Sequence, residues 1–256
     1  MLVSRGAIGH HCCAFIFMRA GSMLPAPLRR VNNPLHLRVR AWRGRIGLGL
    51  VASLSVLAGM TDAIGFLATG DFVSFMSGNT TRLAVAIGQG DISLIVRLTF
   101  AVLAFIAGNT LGILLGRWGG RRALPLMLGI AGLLCAAALL PFDSQVPALL
   151  AAILAMGMLN AAVEQVNGLP VGLTYVTGAL SRFGRGLGRW LLGERRSGWR
   201  VQLVPWAGML LGAVLGALLE AQFGVKALLF SAGFAAVLGV LSLKIPRRWQ
   251  RDYMPR

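Results

Sequence analysis

Cysteine, histidine and acid are all scarce in this chain. Its three cysteines are Cys12, Cys13 and Cys135, two adjacent and one alone in an apolar stretch, so neither a disulfide framework nor a metal-ligand spacing can be drawn. The three histidines, His10, His11 and His36, all precede the first long apolar run. That run and everything after it therefore lack imidazole for acid–base catalysis or metal ligation. Ser77-Gly78 has the look of a serine nucleophile without a base to activate it. Asp and Glu together number 8, and only Asp62 and Glu164 fall deep enough in apolar surroundings to be candidates for an aspartyl pair. The sequence thus argues against an enzyme, and it suggests no cofactor and no metal.

Apolar residues fill the space these absences leave. Hydrophobic residues make up 56% of the 256 and charged residues 13%, with a mean hydropathy of +0.73, where soluble domains run at about 45–50% and about 25%. The expected fold is all-α, a polytopic transmembrane helical bundle. Six stretches are apolar and long enough to cross a hydrocarbon layer of about 30 Å: roughly 46–69, 92–116, 123–141, 147–164, 200–221 and 225–244. Two more, 72–90 and 170–192, are broken by glycine and polar groups, giving six spans plus two broken or re-entrant segments, or eight spans if these cross. The transmembrane domain is expected over 46–245, between a disordered basic tail at 1–45 and a short basic tail at 246–256. The net charge of +17 sits largely on arginines at the ends of apolar stretches and in the tails, where membrane lipid is the expected partner. The N-terminal tail has no aromatic ladder for stacking bases, so nucleic acid is not expected.

The chain repeats itself. "GMTDA" at Gly59 returns as "GMLNA" at Gly157, 98 positions on. "MSGNTTRL" from Met76 returns as "VTGALSRF" from Val176, and Gly108, Gly112 and Gly116 return as Gly208, Gly212 and Gly216, both at an offset of 100. Matching polar landmarks as well as glycines, in the same order, argues for two homologous halves, 46–141 and 147–244. A small residue at every fourth position lets a neighbouring helix approach closely. These glycine faces suit either the two halves of one chain or two copies in a homo-oligomer.

Arginine placement bears on the two polar stretches. If both cross and the N-terminus is inside, "RWGGRR" with Arg117, Arg121 and Arg122 falls outside, against the positive-inside tendency. If both enter and leave on one side, that loop, "ERRSGWR" from Glu194 and the tail with Lys244, Arg247 and Arg248 all fall inside. Both termini are then cytoplasmic, in a bacterial inner membrane, and the halves are inverted relative to each other. That plan is common in transporters and channels, with the substrate site where broken segments meet.

The polar stretches therefore supply the candidate pathway. In the first half these are Ser77, Gly78, Asn79, Thr80, Thr81 and Arg82; in the second, Thr177, Gly178, Ser181 and Arg182. Ser77-Gly78-Asn79 is the expected break, with Asn79 or Thr80 capping a short helix whose N–H groups and Arg82 would favour an anion. Hydroxyls in membrane helices often only bond back to their own main chain, and Arg182 serves as well for reaching headgroups as for holding a solute. Asp62, the matching Asn160 and Glu164 are the ion-coupling candidates. A buried carboxylate there fits either an ion pair with a buried arginine or a proton site.

The strings "GMTDAIGFLATGDFVSFMSGNTTRLAVAIGQGD" and "AMGMLNAAVEQVNGLPVGLTYVTGALSRFG" closely resemble the bacterial YoaK-like family, whose defining domain is DUF1275, from about Ile46 to Leu243. The resemblance implies a multi-pass inner-membrane protein and adds no activity. The function expected from the residues is a transporter or channel for a small polar or anionic solute, the solute itself being unidentified. The alternative is a non-catalytic membrane scaffold or regulatory protein.

Overall fold

The computed structural model describes residues 34–120, 122–140, 145–161, 165–166, 169–170, 176–195 and 198–246. The chain divides into two units, Met1–Arg38 and Val39–Arg256, and among the described residues every helix except the start of the first lies in the second unit. Eight α-helices are present among the described residues: α1 Pro34–Thr69, α2 Met76–Gln89, α3 Ile92–Trp118, α4 Ala123–Leu139, α5 Gln145–Asn160, α6 Val176–Leu191, α7 Leu203–Phe223 and α8 Leu228–Ser242. A two-residue antiparallel ladder, Gln165–Val166 with Leu169–Pro170, lies between α5 and α6. Single 3-10 turns, Trp199–Gln202 and Gly224–Ala227, lead into α7 and α8.

The apolar helices α1, α3, α4, α5, α7 and α8 fall on the six expected spans. Gly44–Thr69 and Ile92–Trp118, of 26 and 27 residues, measure about 40 Å at 1.5 Å per residue, ample for a hydrocarbon layer of about 30 Å. The helix α2, of 14 residues, measures about 21 Å and is too short to do the same. At its other end α1 departs from expectation: it begins at Pro34, inside the segment read as a disordered tail. A proline at the first helical position lacks only an N–H that would be unpaired there anyway, and Leu, Arg and Trp follow it.

Packing inverts the pattern of a soluble protein. On α3 and α7, glycines face the interior while Ile106, Leu111, Leu211 and Leu218 stand exposed. A helix apolar all round with its largest side chains outward is stable only where the surroundings are apolar too. Inside, Leu54, Leu57, Ile64, Leu126, Ile130, Leu134, Ile153, Met156 and Leu159 form a continuous core.

Glycine decides which helices touch. A β-carbon at Gly212 would strike the Val56 carbonyl, one at Gly216 the Met60 carbonyl, and one at Gly59 the Met209 carbonyl, so α1 and α7 meet main chain to main chain. In the other direction, Gly108 and Gly157 face each other, and Gly112 abuts Met158 and Ala161, which joins α3 to α5. The last pair is α4 with α8, where Gly239 lies against Met127. Both glycine faces are thus spent within one chain, except Gly116, which meets nothing.

Candidate functional site

Between α1 and α2 the chain makes a non-helical turn, Gly70–Phe75, and the polar residues of the first half are arranged around it. Gly70 ends α1 in the left-handed region at φ 74°, its N–H bonding to the Phe66 carbonyl, a conformation open chiefly to glycine. The chain then folds back beside α1. Asp62 Oδ1 accepts the N–H groups of Val73 at 2.8 Å and Ser74 at 2.7 Å. Val73 itself lies where a side chain on Gly65 would be. Asp62 and Gly65 precede the end of α1 by one to two turns, so the turn reaches about 6–10 Å back along that helix.

Asn79 closes the turn from the other side. Its Nδ2 donates to the Phe72 carbonyl at 2.6 Å, and its Oδ1 accepts the Phe72 N–H at 3.2 Å. The amide thereby gives Phe72 both bonds that a neighbouring strand would give. Buried main-chain groups must be paired somewhere, and here Asp62 and Asn79 supply the partners. The Phe72 ring stacks on Phe66 at 4.8 Å and meets Phe75 edge-on at 5.2 Å. Gly78 leaves room for both, since a β-carbon there would enter the Phe75 ring.

At the mouth of the turn lies an ion cluster. Asp71 is fully buried. Its Oδ1 pairs with Arg82 Nη1, and its Oδ2 lies 2.8 Å from Arg97 Nε. Arg82 Nη1 also donates to the Gly70 carbonyl at 2.6 Å. While Val73 and Ser74 lie beside Asp62, Arg82 is back at Gly70, so α2 carries the chain toward the end of α1 at which the turn began. The tight link Gly90-Asp91 then reverses it into α3, which packs on α2.

Several expected residues have other partners. The break falls at Gly70–Phe75, not at Ser77-Gly78-Asn79, which lie in the first turn of α2. Neither Asn79 nor Thr80 caps that helix; Phe75 precedes it without a side-chain bond. The N–H groups of Met76, Gly78 and Asn79 already bond to Ser74 and Phe75 carbonyls, so the helix start offers no open row of donors. Thr80 and Thr81 bond back to the Met76 and Ser77 carbonyls, and Ser77 is exposed. Among the described residues, Asp62 takes no arginine. That part falls to Asp71, which sequence reasoning missed together with Arg97. The signal was present: Asp71 directly follows the helix-ending Gly70, and Arg97 interrupts an apolar run.

The second half is less polar. Arg182 donates from Nε to Gln202 Oε1 at 2.8 Å, and Gln202 is buried. Thr177 and Ser181 are exposed on α6, and Gly178 packs beside the Arg182 guanidinium. Gly186 and Phe183 face the Trp199 indole, which ties α6 to the turn before α7. Asn160 ends α5, and Glu164 lies outside the described residues.

Apolar helices with outward-facing leucines, enclosing a folded-back turn whose polar groups are met from within, define a multi-pass membrane protein. The chain belongs to the DUF1275 family: the profile described as "Protein of unknown function (DUF1275)" matches residues 50–241. It is 48% identical over 217 residues to the UPF0700 transmembrane protein RA0705 of Rhizobium meliloti (strain 1021), a match covering 84% of this chain and 95% of that protein. No solved structure matches the chain.

Proposed function

We propose that this protein is a transporter or channel for a small polar or anionic solute, not an enzyme, and that it resides in the bacterial inner membrane with both termini in the cytoplasm. The turn Gly70–Phe75 carries the reading. Non-helical main chain among membrane helices persists only where protein encloses it or where it borders a water-filled cavity, because each unpaired group in hydrocarbon costs several kcal/mol. Here Asp62, Asn79 and Arg82 are all committed to holding such a turn. The reciprocal pairing of α1 with α7 and of α5 with α3, with α4 against α8, supports two repeated halves that exchange their first and third helices. Broken segments in repeated halves are where transporters place the solute. Ser77, Thr81 and Arg82 face the pathway in this reading, with Thr177, Ser181 and Arg182 as the second-half counterparts, while Asp62, Gly78 and Asn79 shape the turn.

The test is flux into proteoliposomes of purified protein, using a panel of small radiolabelled carboxylates, phosphate and neutral polar solutes. Uptake of at least one is expected above protein-free vesicles, falling at least tenfold in Arg82→Lys with its unfolding midpoint retained. Equal leakage with wild type, Arg82→Lys and empty vesicles for every solute would contradict the reading.

A further inference from the structure

We infer that Arg82 and Arg97 together form a binding site for one oxoanion, a carboxylate or a phosphate, with Asp71 as the fixed counter-charge that aligns them. The inference deepens the solute reading above by naming the chemical class, and it rests on that reading only for the claim that the anion is the solute.

Charge comes first. Two guanidiniums share one carboxylate, so the cluster carries an excess of one positive charge. Among the described residues no acid other than Asp71 pairs with either arginine. Asp62 is engaged by the Val73 and Ser74 N–H groups. Asp91, at the start of α3, accepts from Leu94 N at 3.0 Å as that helix's cap. An uncompensated cation among apolar helices is costly and is retained where a partner or pathway exists.

Geometry makes the same point. The carboxylate of Asp71 is 0% exposed while the side chains of Arg82 and Arg97 are 34% and 35% exposed. The anion therefore sits at the back and the two cations reach forward from it. Each guanidinium has five N–H donors. The Asp71 carboxylate and the Gly70 carbonyl accept from Nη1 of Arg82, while Nε of Arg97 lies 2.8 Å from Asp71 Oδ2 as an ion pair without a hydrogen bond. The remaining nitrogens, Arg82 Nε and Nη2 and Arg97 Nη1 and Nη2, bond to no described residue. Paired guanidinium edges match the two oxygens of a carboxylate or phosphate, a match that a lysine ammonium cannot reproduce. The two arginines arrive from different helices, α2 and α3, so an anion between them would also tie the folded-back segment to a long span.

Isothermal titration of the full-length protein in neutral detergent and low-chloride buffer, with sodium phosphate and sodium acetate as probes, tests the site. One saturable site is expected for at least one probe in wild type, weakened at least tenfold in Arg97→Gln and several-fold in Arg97→Lys, which keeps the charge but loses the fork. Arg189→Gln, exposed in the last turn of α6, should bind as wild type does. A folded wild-type protein without saturable binding, or equal affinity in Arg97→Gln, would overturn the inference. Should Arg97→Gln fail to fold, the wild-type titration and Arg97→Lys still decide. In a parallel arm, native mass spectrometry with phosphatidylglycerol distinguishes the source: retention of that lipid dependent on Arg97, without phosphate or acetate binding, assigns the site to a lipid headgroup and sustains it. Arg97-dependent anion binding without any flux leaves the site standing and removes the transport reading. Flux of a neutral solute with no anion binding does the reverse.

Discussion

Asp62 Oδ1 accepts the Val73 N–H at 2.8 Å across eleven residues of chain, and so fixes how far the segment after α1 folds back along it. The same oxygen takes Ser74 N–H. Asp62→Ala would leave two buried donors unpaired, a loss on the order of 2–4 kcal/mol. Asp62→Asn keeps an acceptor oxygen and should lose less. Thermal unfolding in detergent, with thiol accessibility of Ser74→Cys as a local readout, checks the order wild type, Asn, Ala.

Asn79 and its neighbours Thr80 and Thr81 should respond differently to substitution. Asn79→Asp is nearly isosteric but replaces the donor with an oxygen facing the Phe72 carbonyl. We expect it to cost about 1–3 kcal/mol. Thr80→Val and Thr81→Val remove only bonds to their own helix and should stay within about 0.5 kcal/mol of wild type. A comparison of unfolding midpoints decides it. Equal losses at all three positions would mean that Asn79 does not hold the turn.

Glycine substitutions separate contact from propensity. Gly212→Ala drives a methyl into the Val56 carbonyl and should separate α1 from α7, with clear loss of stability. Gly132 has nothing within 4 Å of a β-carbon. Gly132→Ala should therefore be neutral or stabilising by up to about 1 kcal/mol, the usual gain of alanine over glycine in a helix. Both can be read as melting shifts in the same detergent.

The six apolar helices were legible because length and hydropathy govern what can cross hydrocarbon. So were the glycine faces at Gly108 and Gly208, though spacing alone left open whether one chain or two would fill them. The turn was misplaced for a physical reason. Phe72, Val73 and Phe75 are apolar and resemble a span, while the groups satisfying their main chain, Asp62 and Asn79, lie 11 and 7 residues away. Ser77 to Thr81 look polar in sequence, yet their threonines bond within one helix. Asp71 gains its meaning only from Arg82 and Arg97, brought together by folding. The early start of α1 at Pro34 was hidden by a composition rich in arginine and proline.

The chain turns back between α1 and α2, so that Gln89 ends at the opposite membrane face from Trp42 on α1. Replacing the three native cysteines and placing single cysteines at Trp42 and Gln89 tests it with a membrane-impermeant thiol reagent applied to intact and to permeabilised cells. The two positions should label from opposite sides, whichever way the protein is inserted. Labelling of both from the same side would mean that α2 crosses the membrane, and would contradict the turn-back.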